Sequence, residues 1–125
     1  MTLKDLIKEE MDKRNLSIRE FSKLVGVSHP TISAILNGDE PSYDLCRKLA
    51  HVLHMPLESV LRAAGLLPPV SADTEYEEHI LHLFRQLPEE EQRRYLELLQ
   101  FEVERQSNAK QKSRDKHLAQ MVLNG

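Results

Sequence analysis

Tryptophan is missing from this 125-residue chain, and aromatic residues of any kind are scarce, with three Phe and three Tyr. Glycine occurs four times and cysteine once. So little aromatic and turn-forming material argues against a β-rich fold, whose strands favour aromatic and β-branched side chains and whose hairpins need glycine. A lone cysteine excludes an intramolecular disulfide framework and suits a reducing, cytoplasmic setting. No apolar run approaches the roughly 20 residues of a membrane span, and the charged N-terminus lacks the apolar segment of a secretion signal, so no membrane partner is expected. Neither sign of charge dominates, since 17 Lys and Arg stand against 20 Asp and Glu for a formal −3. A Gly-rich phosphate loop, a nucleophile elbow and a metal cluster are also missing, so the chain reads as a non-enzyme without a cofactor or metal. What remains is 40% hydrophobic and 30% charged, near the average of a soluble globular chain. The abundant Leu, Glu, Lys, Arg and Ala predict an all-α protein with a small core.

Apolar spacing divides the chain into helices. Leu3, Leu6, Ile7 and Met11 fall on one helical stripe and predict a first helix over 3–14. Ser17 with Glu20 forms a capping box that starts a second helix at Ile18, which buries Phe21, Leu24 and Val25 and stops at Gly26. Ser28 caps a third, with Pro30 in its first turn and Ile32, Ile35 and Leu36 inward, ended by Asn37-Gly38. Ser42 caps a fourth whose stripe is Cys46, Leu49, Ala50 and Leu53, so Cys46 reads as core rather than as a reactive thiol. Pro56 opens a fifth, with Leu57, Val60, Leu61 and Ala64 inward, closed by Gly65. The two prolines at 68 and 69 predict a linker over 68–73. Asp73 or Thr74 then caps a sixth helix bearing Tyr76, Ile80, Leu83, Phe84 and Leu87. Pro88 and Glu89, Glu90 and Glu91 start a seventh, where negative charge suits the helix dipole. Residues 108–125 read as a basic, mobile tail with at most a short helix around Leu118, Met121 and Val122.

Residues 18–37 carry the most specific pattern. A helix-turn-helix needs two steeply crossing helices joined by a short turn with a glycine, and apolar residues that hold them together. Phe21, Val25, Gly26, Val27, Ile32 and Ile35 occupy those packing positions. With the Asn37-Gly38 exit, the Pro41-Ser42 cap and the Leu49-Ala50 pair, the chain from residue 3 to about 66 resembles the phage-repressor-like (Cro/CI, XRE) helix-turn-helix family. The resemblance implies a five-helix, lambda-repressor-like DNA-binding domain over 1–67 whose third helix lies in the major groove of double-stranded DNA. By position it implies base contacts from Ser28, His29, Pro30, Ser33 and Ala34. It implies phosphate contacts from Ser17, Arg19, Lys23 and Asn37, together with the amides at the start of helix two and in the loop after Asn37. His29 stands where Gln is common in the family and can donate to a guanine edge, while Pro30 and Ala34 suit a thymine methyl. The third helix has no Lys or Arg, and Asp39 and Glu40 stand where family members often carry basic residues. Residues 1–69 hold nine basic and nine acidic groups, so binding must come from a local patch.

The remaining residues read more plainly. His51 with His54, and His79 with His82, are spaced by three but lack a third zinc ligand at suitable spacing. One helix-turn-helix covers a half-site, so an operator-binding regulator of this kind needs a dimerising element. A helical hairpin over 74–107 suits that role. Leu96, Leu99 and Val103 are expected to pack on the sixth helix, leaving Tyr95, Leu98 and Phe101 for the second subunit of a homodimer. Arg105, Lys110, Lys112, Arg114 and Lys116 offer either a solvated tail or an arm attracted to phosphates. The sequence therefore reads as a transcriptional regulator of repressor type that binds a palindromic operator as a dimer, switched by an antagonist protein or by concentration. The alternative is an interaction module or antitoxin-like regulator whose hairpin docks a partner protein.

Overall fold

A computed structural model describes the backbone of residues 1–124 and the side chains of residues 1–122; Gly125, expected in the tail, lies outside the described residues. The described residues form seven helices: α1 Leu3–Arg14, α2 Ile18–Val25, α3 His29–Leu36, α4 Tyr43–Leu53, α5 Leu57–Ala63, α6 Ala72–Arg85 and α7 Glu89–Asn124. Among the described residues there is no strand, and the all-α expectation holds. The chain divides into two units, residues 1–84 and 85–125.

The first unit is built on a core contributed by every one of its first five helices. Ile7, Phe21, Ile32, Cys46, Leu49 and Val60 are fully buried, with Leu3, Val25, Ile35, Leu45 and Ala50 around them. α2 packs on α3 and α4, α1 on α3, and α4 on α5. Capping matches the sequence at the starts of α2 and α4, and α1 adds a box that the sequence reading did not include. Thr2 with Asp5 and Ser17 with Glu20 form reciprocal boxes, and the Ser42 hydroxyl accepts from the Leu45 amide at 3.1 Å.

The ends of these helices share one device. Asn15, Gly26, Gly38, His54 and Gly65 adopt the left-handed conformation. The amide that follows each reaches back five residues, Leu16 to Met11, Val27 to Ser22, Asp39 to Ala34, Met55 to Ala50 and Leu66 to Leu61, at 2.8 to 3.0 Å. Such terminal bonds satisfy carbonyls that the helix itself leaves open. Side chains other than glycine are uncommon in this conformation, with histidine among the better tolerated, and His54 holds it at φ 53°. His54→Val, which adds branching where the backbone tolerates it least, is expected to lower stability by about 1–2 kcal/mol. Urea denaturation monitored by circular dichroism checks this, with His54→Gly as the unstrained control.

α6 belongs to the first unit, and its anchoring moves the boundary that the prolines suggested. The chain over 66–71 is indeed non-helical, yet the compact division falls after Phe84. The reason is Arg62 on α5. Its guanidinium reaches Glu78 at 2.8 Å and Glu75 at 2.9 Å, and the His79 Nε2 donates to the His54 carbonyl at 3.1 Å. α6 also starts earlier than Asp73 or Thr74, because the Ser71 hydroxyl takes the cap and accepts from the Thr74 amide at 3.2 Å. Beside Arg62 a groove is lined by Leu6, Met55, Val70 and Tyr76, and the buried Ser59 hydroxyl faces Glu75 outside hydrogen-bonding geometry.

Burial pushes the Glu75 carboxyl up, but the hydrogen bond from Arg62 and the Arg62 charge outweigh it, so Glu75 titrates below the ordinary 4.5. A carboxyl depressed in the folded state stabilises it above the unfolded-state pKa, and that contribution is lost as pH falls through the folded-state value. Attachment of α6 is therefore expected to persist at neutral pH and weaken below about pH 4.5. NMR of the α6 amides across an acid titration checks this, and Glu75→Gln should remove much of the dependence.

The second unit is dominated by α7, and here the structure departs from the sequence reading. Residues 108–124, expected as a mobile tail, continue the helix to Asn124. No Gly or Pro interrupts 89–124, the residues are strong helix formers, and local pairs such as Arg105 with Glu102 and Gln111 with Asp115 support it.

Candidate nucleic-acid interface

α2 and α3 meet through Phe21, Val25, Ile32 and Ile35, all buried, with Val27 partly buried against the same core. Gly26 between them has φ 86°, a conformation that a side chain would strain, and it lets the chain turn within three residues. Because Ile32 and Ile35 face inward, the opposite stripe of α3 must face outward. It carries His29, Pro30, Ser33 and Ala34, with Asn37 at its end. His29, Pro30 and Asn37 are exposed, whereas Ser33 and Ala34 are half-buried.

Ser28 begins α3 by its backbone, but its hydroxyl does not cap an amide. It bonds the Thr31 hydroxyl at 2.7 Å. Two hydroxyls joined by one bond keep one O–H and several lone pairs free, so the pair presents both a donor and an acceptor at the exposed tip of the helix. Thr31 was not singled out in the sequence, since nothing in the spacing shows a hydroxyl pair.

The expected phosphate contacts are placed unevenly. Arg19 and Lys23, one turn apart on α2, are exposed and take part in no ion pair among the described residues. The Ser17 hydroxyl is taken up by the Glu20 amide at 3.2 Å, and the Ser17 amide by the Glu20 carboxylate at 3.1 Å. That leaves the Ile18 and Arg19 amides pointing out of the helix start. Of the loop amides after Asn37, expected to meet phosphates, the first two are already engaged. Gly38 N–H bonds the Ile35 carbonyl at 3.0 Å and Asp39 N–H the Ala34 carbonyl at 2.9 Å, which closes the end of α3. The Asn37 side chain is exposed at that corner.

The helix-turn-helix family model matches residues 7–60. This stretch of the chain belongs to the helix-turn-helix family. The domain is of the phage-repressor-like (Cro/CI, XRE) kind, and the protein is a DNA-binding regulator. Comparison with curated proteins and with solved structures finds no match. Among the described residues no helix is long and apolar enough to cross a membrane, and no group of three metal-ligating side chains comes together.

The charge around this helix-turn-helix is mixed. Hydrogen bonding from the Ser17 amide, with the Ser17 hydroxyl, holds the Glu20 carboxyl below its usual range, so it stays charged at the start of α2. Asp39 and Glu40 are exposed on the loop after α3. Arg19 and Lys23, exposed and in no ion pair among the described residues, are the cations of α2 that stand against these carboxylates, Lys23 acting on Glu20 through its charge. Two further residues of the helix-turn-helix unit escaped the sequence. Arg62 bonds Glu75 and Glu78 on α6, and Arg14 donates to the Val52 carbonyl at 3.2 Å across 38 residues. Neither is periodic, so hydrophobic spacing gives no sign of them.

Proposed function

We propose that the protein is a transcriptional repressor that binds a palindromic operator as a dimer, with α3 of each subunit in the major groove. The observation that carries this reading is the outward stripe of exposed His29 and Pro30 with half-buried Ser33 and Ala34 on a helix fixed by a buried core, with exposed Arg19 and Lys23 beside it. In this reading Ser28, His29, Pro30, Ser33 and Ala34 face base edges, and Ser17, Arg19, Lys23 and Asn37 face phosphates. Two such helices must lie about 34 Å apart on one face of the duplex, which requires a pairing element. Tyr95, Leu98 and Phe101 on α7 support that role, because all three are exposed although large and apolar.

The test is selection from random duplex DNA by the purified protein, followed by sequencing of the retained fraction. A two-fold symmetric motif whose preference relaxes in His29→Ala is the expected result. Retention without an enriched motif at low salt would sink the operator reading and favour a regulator whose C-terminal helices dock a partner protein.

A further inference from the structure

Charge is divided along α7. Residues 89–104 hold six Glu and two Arg, a net −4, whereas residues 105–117 hold five Lys or Arg and one Asp, a net +4. Apolar side chains cluster at both ends. Leu99, Val103, Leu118 and Met121 lie 3, 7, 22 and 25 residues beyond Leu96, close to whole turns, so the five share one face of the helix. All five are exposed. A helix with an acidic half, a basic half and an apolar group at each end is complementary to itself turned end for end.

We propose that α7 pairs antiparallel with α7 of a second copy of this chain. The inference rests on the dimer reading above, to which it adds an orientation and a second contact face. A pairing centred between Asn108 and Ala109 sets Leu96 opposite Met121 and Leu99 opposite Leu118. It brings Glu102 and Glu104 of one chain within one residue of the level of Lys116 and Arg114 of the other. The overlap runs over residues 93–124, which at 1.5 Å per residue is about 48 Å, nearly the whole helix. A parallel arrangement would instead set acidic half on acidic half and basic on basic, a like-charge juxtaposition that opposes association. Opposed helix dipoles favour the antiparallel form as well. The polar stretch between the apolar ends, including Gln106 and Lys110, limits the affinity and fixes the register, since a shifted pairing would lose both apolar contacts at once.

The test uses the full chain and sedimentation equilibrium. The triple variant Lys112→Glu, Arg114→Glu, Lys116→Glu and the triple variant Glu97→Lys, Glu102→Lys, Glu104→Lys are each expected to weaken self-association on the order of tenfold or more, and their equimolar mixture to restore it. Circular dichroism confirms that α7 stays helical in each. Orientation is read by oxidation of single-cysteine variants, Val103→Cys and Arg114→Cys, with the buried Cys46 out of reach. Cross-links that form only when the two are mixed support the antiparallel pairing, while cross-links within each variant alone overturn it. Association that survives both charge reversals also overturns it and leaves the dimer reading standing. A reversal that lowers affinity for random duplex DNA without touching association makes the basic half a phosphate-binding arm instead. An unchanged protein that sediments as a monomer removes the dimer reading itself.

Discussion

Replacing Arg19 and Lys23 together by alanine is expected to weaken binding to every duplex sequence alike and to make the salt dependence shallower. Each phosphate contact contributes about 0.9 to the slope of log affinity against log salt, so losing two should reduce it by about 1.8. A domain with many cations would absorb the loss. This one holds nine basic and nine acidic groups over 1–69, and three carboxylates, Glu20, Asp39 and Glu40, lie on the elements around α3. The Gly38 and Asp39 amides, which would otherwise help to compensate, are already bonded within the end of α3. Affinity for random DNA should therefore fall on the order of tenfold or more at moderate salt, read by fluorescence anisotropy over a salt series. Loss confined to the selected motif would mean that these two side chains read bases, and the proposed docking of α2 against the backbone would be wrong.

Phe21→Ala is expected to produce the largest loss of stability. Phe21 is fully buried where α2 meets the rest of the core, and removing its ring costs transfer energy and leaves a cavity, about 3–5 kcal/mol together. Small domains have stabilities near the low end of 5–15 kcal/mol, so the change takes most of what is there. The melting temperature should drop by about 15–30 °C, and DNA binding with it. Phe21→Leu, which refills much of the space, should recover most of both. Differential scanning fluorimetry with binding assays at low temperature separates a folding defect from a direct effect on the interface.

Much of the first unit was legible because its signals are local. Capping boxes, a glycine at a helix end and apolar residues three and four apart each act within one turn, so Ser17, Glu20, Gly26 and Ser42 were found where they stand. The outward face of α3 followed from its inward one. The parts that escaped are of two kinds. Arg62 meets residues 13 and 16 positions away, and such a pairing leaves no periodic trace although it fixes where the first unit ends. The far half of α7 has no apolar stripe dense enough to announce a helix, and its helicity rests on propensity and side-chain pairs one turn apart. The bonding of the Gly38 and Asp39 amides belongs to neither kind. Gly38 was recognised as the stop, but which carbonyls its turn would engage depends on the left-handed geometry itself.

The single thiol gives the molecule a built-in reporter. Cys46 is wholly enclosed in the core of the first unit, and burial pushes its pKa up, so neither access nor ionisation favours reaction while the domain is closed. A thiol reagent then reacts at a rate set by how often the five helices open. Bound DNA, by favouring the closed form, slows that reaction in proportion to its affinity, so occupancy can be read from the native chain with no label attached beforehand.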